Sequence, residues 1–396
     1  MRKILASVVQ SAFRRFGLRL ARVDTLEDVP RYQGIKDSLT DQLARVEFPN
    51  LETDPRHAEV AARAIASFRI AIATESDPVF GPSGCWEDVY ASSLLRNPDL
   101  SEDSAIAEAL YYGCRNSWLE TTSPGGMVQD LMRGPNPLQH LISTRLAGRE
   151  FLRQEWSRVF PSFDPLNRRF SIGQPLEITS EEGEVIGDWD ALWYYALRLA
   201  EFSPLLGSYE KARERPVFMD LGGGSGRLAW VLKQMVPNAT VVCCDLPETL
   251  LGSSYRLEMA FPEAKVHHFG DDAITTVEDL RELDFVFIPG FDLESLPSAS
   301  IDVVTNTMSL SEMTPATIAR YIPLIQRALV PGTGVFYTVN RSVAKTNRGG
   351  HIDVPLADYP VSEAIFETLS YTPEFKAIDH FFDGSVQNGE AIYRLR

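Results

Sequence analysis

The chain has 396 residues, a net charge of −16, 44% hydrophobic residues and 23% charged ones. That length suits two domains and that balance suits a fold with an ample core, while the charge argues against nucleic acid, whose phosphates call for clustered Lys and Arg. The four cysteines, Cys85, Cys114, Cys243 and Cys244, show no metal-ligand spacing and read as reduced thiols of a cytoplasmic protein.

In residues 1–22, Leu5, Val9, Phe13, Phe16 and Leu20 recur at helical spacing with arginines between them. The expectation is an amphipathic helix docked on its own protein or on a partner subunit of a homo-oligomer. The alternative is an interfacial helix in peripheral contact with anionic lipid, giving a membrane-peripheral protein. Arg2 and Lys3 resemble the start of a signal peptide, but Gln10, Ser11, Arg14 and Arg15 interrupt the apolar run and no small-residue cleavage site follows. No segment is long and apolar enough to cross a bilayer. Residues 54–75 and 100–120 carry helix formers with apolar residues at three-to-four spacing, and breakers at 80–84 and 121–127 separate them. Residues 171–202 read as a short hairpin turning at "SEEGE", then a helix from about Asp188 or Asp190. Residues 1–200 are therefore expected to form a mainly helical domain, serving as a cap, a substrate domain or an oligomerisation domain, and 201–396 a second domain.

From residue 217 strands alternate with helices. "VFMDLG", "ATVVCCD", "DFVFIPG", "IDVVTNTM" and "GVFYTVN" are the apolar runs, with helical stretches between them, and "FKAIDHFF" and "EAIYRLR" are expected to close the sheet as an antiparallel pair. The adjacent Cys243 and Cys244 should point to opposite faces of their strand. This pattern predicts an α/β fold, a mostly parallel sheet with helices on both faces, as in Rossmann-like class I methyltransferases.

The stretch "VFMDLGGGSGRL" places Asp220, Gly222, Gly224 and Gly226 directly between a strand and a helix, where open parallel sheets bind ligands. A dinucleotide loop would want its third glycine at position 227, which is Arg, and this counts against a nicotinamide oxidoreductase. The acid-x-Gly-x-Gly-x-Gly form resembles motif I of S-adenosylmethionine methyltransferases, which holds a nucleoside joined to an amino acid. Asp245, with Leu246 beside it, ends the second strand, where a carboxylate can accept both ribose hydroxyls. Asp245 and Glu248 also flank Pro247 at a helix start, so a capping role is the alternative. The stretch "PGFDLESLPSASIDVVTN" resembles the methyltransferase segment of form Gly-Asp-Ala-x-x-Leu-Pro, and that match implies that Asp292, after the third strand, reaches the adenine amino group; Asp272 or its neighbour Asp271 is the rival.

With these residues, the chain resembles the bacterial sugar O-methyltransferases of polysaccharide and glycan pathways. The matching stretches are "SIGQPLEI", "GEVIGDWDALWYYAL", "FMDLGGGSGRLAWVL", "CDLPETL", "DFVFIPGFDLESLP", "IDVVTNTMSLSEM", "FYTVNR" and "ADYP", covering roughly 170–360 in order. The "DLPE" also looks like plant small-molecule O-methyltransferases, but "SLSEM" stands where those carry a catalytic His. The resemblance implies methyl transfer from S-adenosylmethionine to a hydroxyl of a sugar or glycoconjugate, with S-adenosylhomocysteine as product. Methylation of another small hydroxylated metabolite, or a non-catalytic S-adenosylmethionine-binding module in a glycan assembly complex, are the other readings.

A sugar hydroxyl needs a general base. Glu312, just past the fourth strand, is the first candidate; capping of the next helix is its alternative. His351 follows two glycines in a loop after the fifth strand and is the second candidate. Asp353, Asp358 and Tyr359 share that loop and could hydrogen-bond an acceptor. Glu312, Asp353 and Asp358 could hold magnesium only by converging, and no metal is predicted. Trp193–Tyr195, before the first strand, could stack on a ligand, although core packing is the safer reading.

Overall fold

The computed structural model describes residues 55–75, 77–82, 102–104, 106–107, 110, 137–160, 178–179, 185–186, 190–203, 215–346, 350–377 and 387–396. The predicted helix over 1–22, most of the one over 100–120, and the breaker at 121–127 lie outside them. In chain order the elements are α1 (Pro55–Thr74), α2 (Pro137–Val159), the two-residue strands β1 (Ile178–Thr179) and β2 (Val185–Ile186), and α3 (Asp190–Phe202). Then follow β3 (Val217–Leu221), α4 (Arg227–Met235), β4 (Thr240–Asp245), α5 (Pro247–Ala260), β5 (Val266–His268), α6 (Val277–Arg281) and β6 (Phe285–Pro289). The last are β7 (Val303–Thr307), α7 (Pro315–Ala328), β8 (Val335–Arg341), β9 (Phe366–Thr372) and β10 (Asn388–Leu395).

β1 and β2 pair antiparallel on either side of "SEEGE", which itself lies outside the described residues, and α3 begins at Asp190. The other strands make one sheet in the order β5-β6-β4-β3-β7-β8-β10-β9. Every pair is parallel except those made by β10, which is antiparallel to both neighbours. This is a doubly wound, Rossmann-like sheet in which the order reverses at β3, the position where such folds open a ligand crevice.

Successive side chains of a strand face opposite ways, so each central strand feeds two cores. Phe218, Val241, Cys243, Phe285, Phe287 and Val335 join the core under α2, α3, α4 and α5. Met219, Val242, Cys244, Val286, Ile288 and Phe336 join the one under α7. The two cysteines are indeed split between faces. Burial on both faces explains why these strands read as unbroken apolar runs. The Trp193 ring meets Trp156 and Trp230 edge-on, and Tyr194 stacks on Phe375, so the aromatic triplet of α3 packs in the first core.

The closing pair differs from expectation. β10 pairs with Phe366–Thr372, whereas Phe375 turns inward onto Tyr194 and 378–386 lie outside the described residues. As a sheet edge with both faces partly exposed, "FETLSYT" needs few apolar residues, so its sequence carries little strand signal.

α1 lies along α5 and sends its last turns past the end of β5. Ile70 covers Gly270, and the segment after α1 reaches α7: Phe80 meets the Tyr321 ring edge-on and the Val79 carbonyl accepts from Thr317 Oγ1 at 3.1 Å. A buried polar set fastens α1. Glu258 of α5 accepts from His268 Nε2 at 2.6 Å with one oxygen and pairs with Arg63 through the other, while His57 Nδ1 and the Tyr255 hydroxyl share a hydrogen bond of 2.5 Å.

Candidate functional site at the carboxyl ends of the strands

The loop after β3 is built by its glycines. Gly222, Gly224 and Gly226 all have φ near +60 to +80°, at 69, 58 and 78°, the left-handed region that penalises a Cβ. Their surroundings differ. A Cβ on Gly222 would meet Ser309 Oγ at 2.0 Å, and one on Gly226 would press on Leu257 and Ser253 of α5 at 3.0 and 3.1 Å. A Cβ on Gly224 would meet nothing within 4 Å. Gly222 and Gly226 thus allow the loop to pack, whereas Gly224 borders open space. Arg227, at the first turn of α4, donates through Nε to Ser225 Oγ at 3.1 Å.

Two carboxyls flank the loop, Asp220 buried and Asp245 half-buried. Asp220 is fully buried; Thr305 Oγ1 donates to it at 3.0 Å, and burial pushes its carboxyl up to about 7. Asp245 accepts from the Gly224 amide at 2.8 Å with Oδ2 and from the Leu246 amide at 2.7 Å with Oδ1, and burial raises it to about 6. The N-cap of α5 is Leu246, without a side-chain cap, so Asp245 stands just outside the helix and ties its start to the glycine loop. Asp292 lies in the 3₁₀ turn Gly290–Ser295 after β6, the neighbour of β4. It is half-buried, accepts from Ser295 Oγ at 2.8 Å, and is raised by burial. Asp271 and Asp272 are exposed beyond β5, one strand further out; Asp271 accepts from the His268 amide and closes a local turn. Phe68 and Ala71 of α1 meet Pro247, Phe269 and Pro289 in a narrow cleft beside these strand ends.

The ends of β7 and β8 carry the other candidates. Glu312 closes the 3₁₀ turn Leu310–Glu312, half-buried, with the N-cap of α7 supplied two residues on by Thr314, whose hydroxyl accepts from the Thr317 amide. The 350s loop folds back on this turn, the Val354 amide donating to the Ser311 carbonyl at 2.8 Å. Asp353 is buried and accepts from Arg341 Nε at 3.2 Å, so it anchors the loop. Asp358 is exposed. Tyr359 is buried with its hydroxyl unpartnered, and its neighbours include Asp353 and Glu312. His351 Nε2 is likewise buried without a partner. Among the described residues no group of three or more His, Cys, Asp or Glu could hold a metal ion, and no helix is long and apolar enough to cross a membrane.

Glu312, Tyr359 and Asp353 are thus gathered on the β7–β8 side of the crevice, and Asp220, Asp245 and Asp292 on the β3–β4–β6 side. Sequence reasoning missed the polar residues between them. Thr305, Asn306, Ser309 and Asn340 sit buried or half-buried at strand ends, and the one signal was an Asn inside an apolar strand run in "IDVVTNTM".

No protein family matches the chain, and no curated protein matches it. Solved structures do resemble it. One is a Burkholderia thailandensis 1,6-didemethyltoxoflavin-N1-methyltransferase with bound 1,6-didemethyltoxoflavin and S-adenosylhomocysteine, at 15% identity and TM-score 0.35, covering 52% of this chain and 78% of that one. Another is Haemonchus contortus phosphoethanolamine N-methyltransferase 1 with phosphoethanolamine and S-adenosylhomocysteine, at 10% and 0.34, covering 64% and 50%. A third, at 13% and 0.33, covering 64% and 96%, is the [4+2]-cyclase SpnF. Likenesses this distant carry no argument about the reaction, and a methyl transfer and a cyclisation stand among them.

Proposed function

We propose that the chain binds S-adenosylmethionine across the Gly222–Gly226 loop and transfers its methyl group to a hydroxyl of a sugar or glycoconjugate. The observation that carries the cofactor half is the contrast among the glycines. Gly222 and Gly226 face protein, while Gly224 faces open space beside the half-buried Asp245 carboxyl. A nucleoside fits that arrangement: its ribose hydroxyls can donate to Asp245, and Asp292 on the adjacent strand end can accept from an adenine amino group. The raised carboxyls suit such neutral donors, because a buried Asp holding no cation gains most from hydrogen-bond donors.

When bound, S-adenosylmethionine supplies an electrophilic methyl group. Asp245 and Asp292 orient the ligand, and the α1 cleft wall keeps water from its edge. Glu312, on the far side of the crevice, takes the proton from the acceptor hydroxyl onto a carboxylate oxygen as the hydroxyl oxygen becomes nucleophilic. His351 Nε2 is the second candidate for that proton. The Tyr359 hydroxyl and exposed Asp358 are left to hydrogen-bond the acceptor, and alignment of the reacting atoms does much of the remaining work. The sugar assignment rests on the family resemblance of residues 170–360, and a cytoplasmic location on the reading of the four cysteines as reduced thiols.

Calorimetry with S-adenosylhomocysteine and with NAD tests the cofactor. The homocysteine compound should bind, NAD should not, and Asp245→Ala should lose most of the affinity; undiminished binding in that variant would sink the assignment. For the acceptor, turnover on a panel of sugars and nucleotide sugars is compared with Glu312→Gln and His351→Ala. Full kcat in both variants would remove both candidate bases.

A further inference from the structure

Between the two halves of the crevice runs a chain of buried side-chain amides. Asn306, at the end of β7, donates through Nδ2 to the Leu221 carbonyl at 2.8 Å and to Ser309 Oγ at 2.5 Å. Its Oδ1 accepts from the Leu310 amide at 3.3 Å and from Asn340 Nδ2 at 2.7 Å. Asn340, at the end of β8, also donates to Thr338 Oγ1 at 2.7 Å, and its Oδ1 accepts from the Ser311 amide at 3.1 Å. Both residues are fully buried. Backbone groups have fixed polarity, so the Leu221 carbonyl and the Leu310 and Ser311 amides dictate which way each side-chain amide faces.

Leu221 immediately precedes Gly222, and Leu310 and Ser311 are the first residues of the turn that ends at Glu312. Ser309 Oγ, held by Asn306, occupies the space a Cβ on Gly222 would need. Four strand ends and turns are therefore linked through two amides with no water needed between them. Met308, beside this set, has φ +63°, a left-handed conformation unusual for its residue type. A local backbone of that kind persists only where its surroundings fix it.

We propose that Asn306 and Asn340 are positioning residues, transmitting the state of the glycine loop to the turn that carries Glu312. Ordering of the loop by cofactor stiffens Leu221, then Asn306, then Asn340 and the Ser311 amide, so the base is held more firmly when the methyl donor is bound. This rests on the S-adenosylmethionine reading above.

The test is hydrogen exchange by mass spectrometry on the full chain, following peptides over 221–227 and 308–314 with and without S-adenosylhomocysteine. In the wild type the ligand should slow exchange in both peptides. Without ligand, Asn340→Ala should speed exchange of 308–314 by about tenfold, because the Ser311 amide loses its buried acceptor. Asn340→Asp, followed at pH 8 where its buried carboxyl is ionised, keeps that acceptor but presents a carboxylate oxygen to Asn306 Oδ1. It should leave basal exchange of 308–314 near wild type and abolish its response to the ligand, while the response of 221–227 survives. A merely structural role would move basal exchange and melting temperature but not separate the two responses. Slowing of 221–227 alone in the wild type, or an unchanged response of 308–314 in Asn340→Asp, overturns the coupling. If the ligand protects neither peptide in the wild type, the cofactor reading falls and this coupling with it. Unchanged basal exchange in Asn340→Ala overturns the anchoring independently of any ligand.

Discussion

Gly222→Ala and Gly224→Ala separate packing from binding within one loop. Both positions are left-handed, with φ of 69 and 58°, so each alanine pays about 1–2 kcal/mol of backbone strain. Reduced freedom of the unfolded chain returns about 0.4–1 kcal/mol. At position 224 nothing further is added, because a Cβ there meets no atom within 4 Å, and a net loss of about 1 kcal/mol follows. At position 222 the new methyl would lie 2.0 Å from Ser309 Oγ and 2.6 Å from Ser309 Cβ, which are held by Asn306. Overpacking of this kind costs about 1–3 kcal/mol more, for a total of about 2–4 kcal/mol. The assay pairs urea unfolding with calorimetry on S-adenosylhomocysteine. Gly222→Ala should lose stability, with partial recovery in the double variant carrying Ser309→Gly. Gly224→Ala should remain nearly as stable as the wild type yet bind the ligand at least tenfold more weakly, since its methyl projects into the crevice. Equal stability loss at the two positions, or full ligand affinity in Gly224→Ala, would refute the assignment of one glycine to packing and the other to the ligand.

The other outcomes concern charge. Asp220, raised to about 7 by burial from an unfolded value near 3.8, stabilises most when protonated; that contribution is complete below the unfolded value and is lost as pH rises through 7. Asp220→Asn mimics the neutral form, so its stability relative to wild type should grow by about 3 kcal/mol between pH 5 and pH 8 in urea titrations, at about 1.4 kcal/mol per pKa unit; a constant difference would contradict the raised value. Asp353→Asn leaves Arg341 without its anion, and should cost about 2 kcal/mol and expose the 350s loop to limited proteolysis at lower protease concentrations. Glu258→Ala strips the acceptor shared by His268 and Arg63, and should cost about 3 kcal/mol and speed amide exchange along α1, while exchange in β8 stays unchanged.

How much of this was legible in the sequence depended on how local each signal was. The βα alternation, the glycine loop and the acidic strand ends are written in short windows, where a run of buried residues meets a residue type with one conformational or chemical purpose. β9 was missed because an edge strand owes little to hydrophobicity, and "FETLSYT" accordingly looks like loop. The Asn306–Asn340 link was missed because it joins residues 34 positions apart through polar atoms, and an Asn at the end of an apolar run has no periodicity to announce it. The anchoring of Asp353 by Arg341 was invisible for a similar reason: in the sequence a paired carboxylate and a free one look alike.

The placement of β10 bears on how the chain folds as it is made. Residues 388–395 insert between β8 and β9, strands completed earlier, and their buried Glu390 takes both Arg198 of α3 and the Tyr337 hydroxyl. Until residues 388–395 leave the ribosome, β8 has an open edge, β9 has no partner, and α3 lacks the Glu390 anchor of Arg198. Contacts spanning nearly 200 residues close slowly, because the chain must surrender the freedom of a long loop before it gains them. For that interval the half-built sheet displays one open edge and one unpaired strand to its surroundings, the kind of surface that chaperones cover and neighbouring chains can capture.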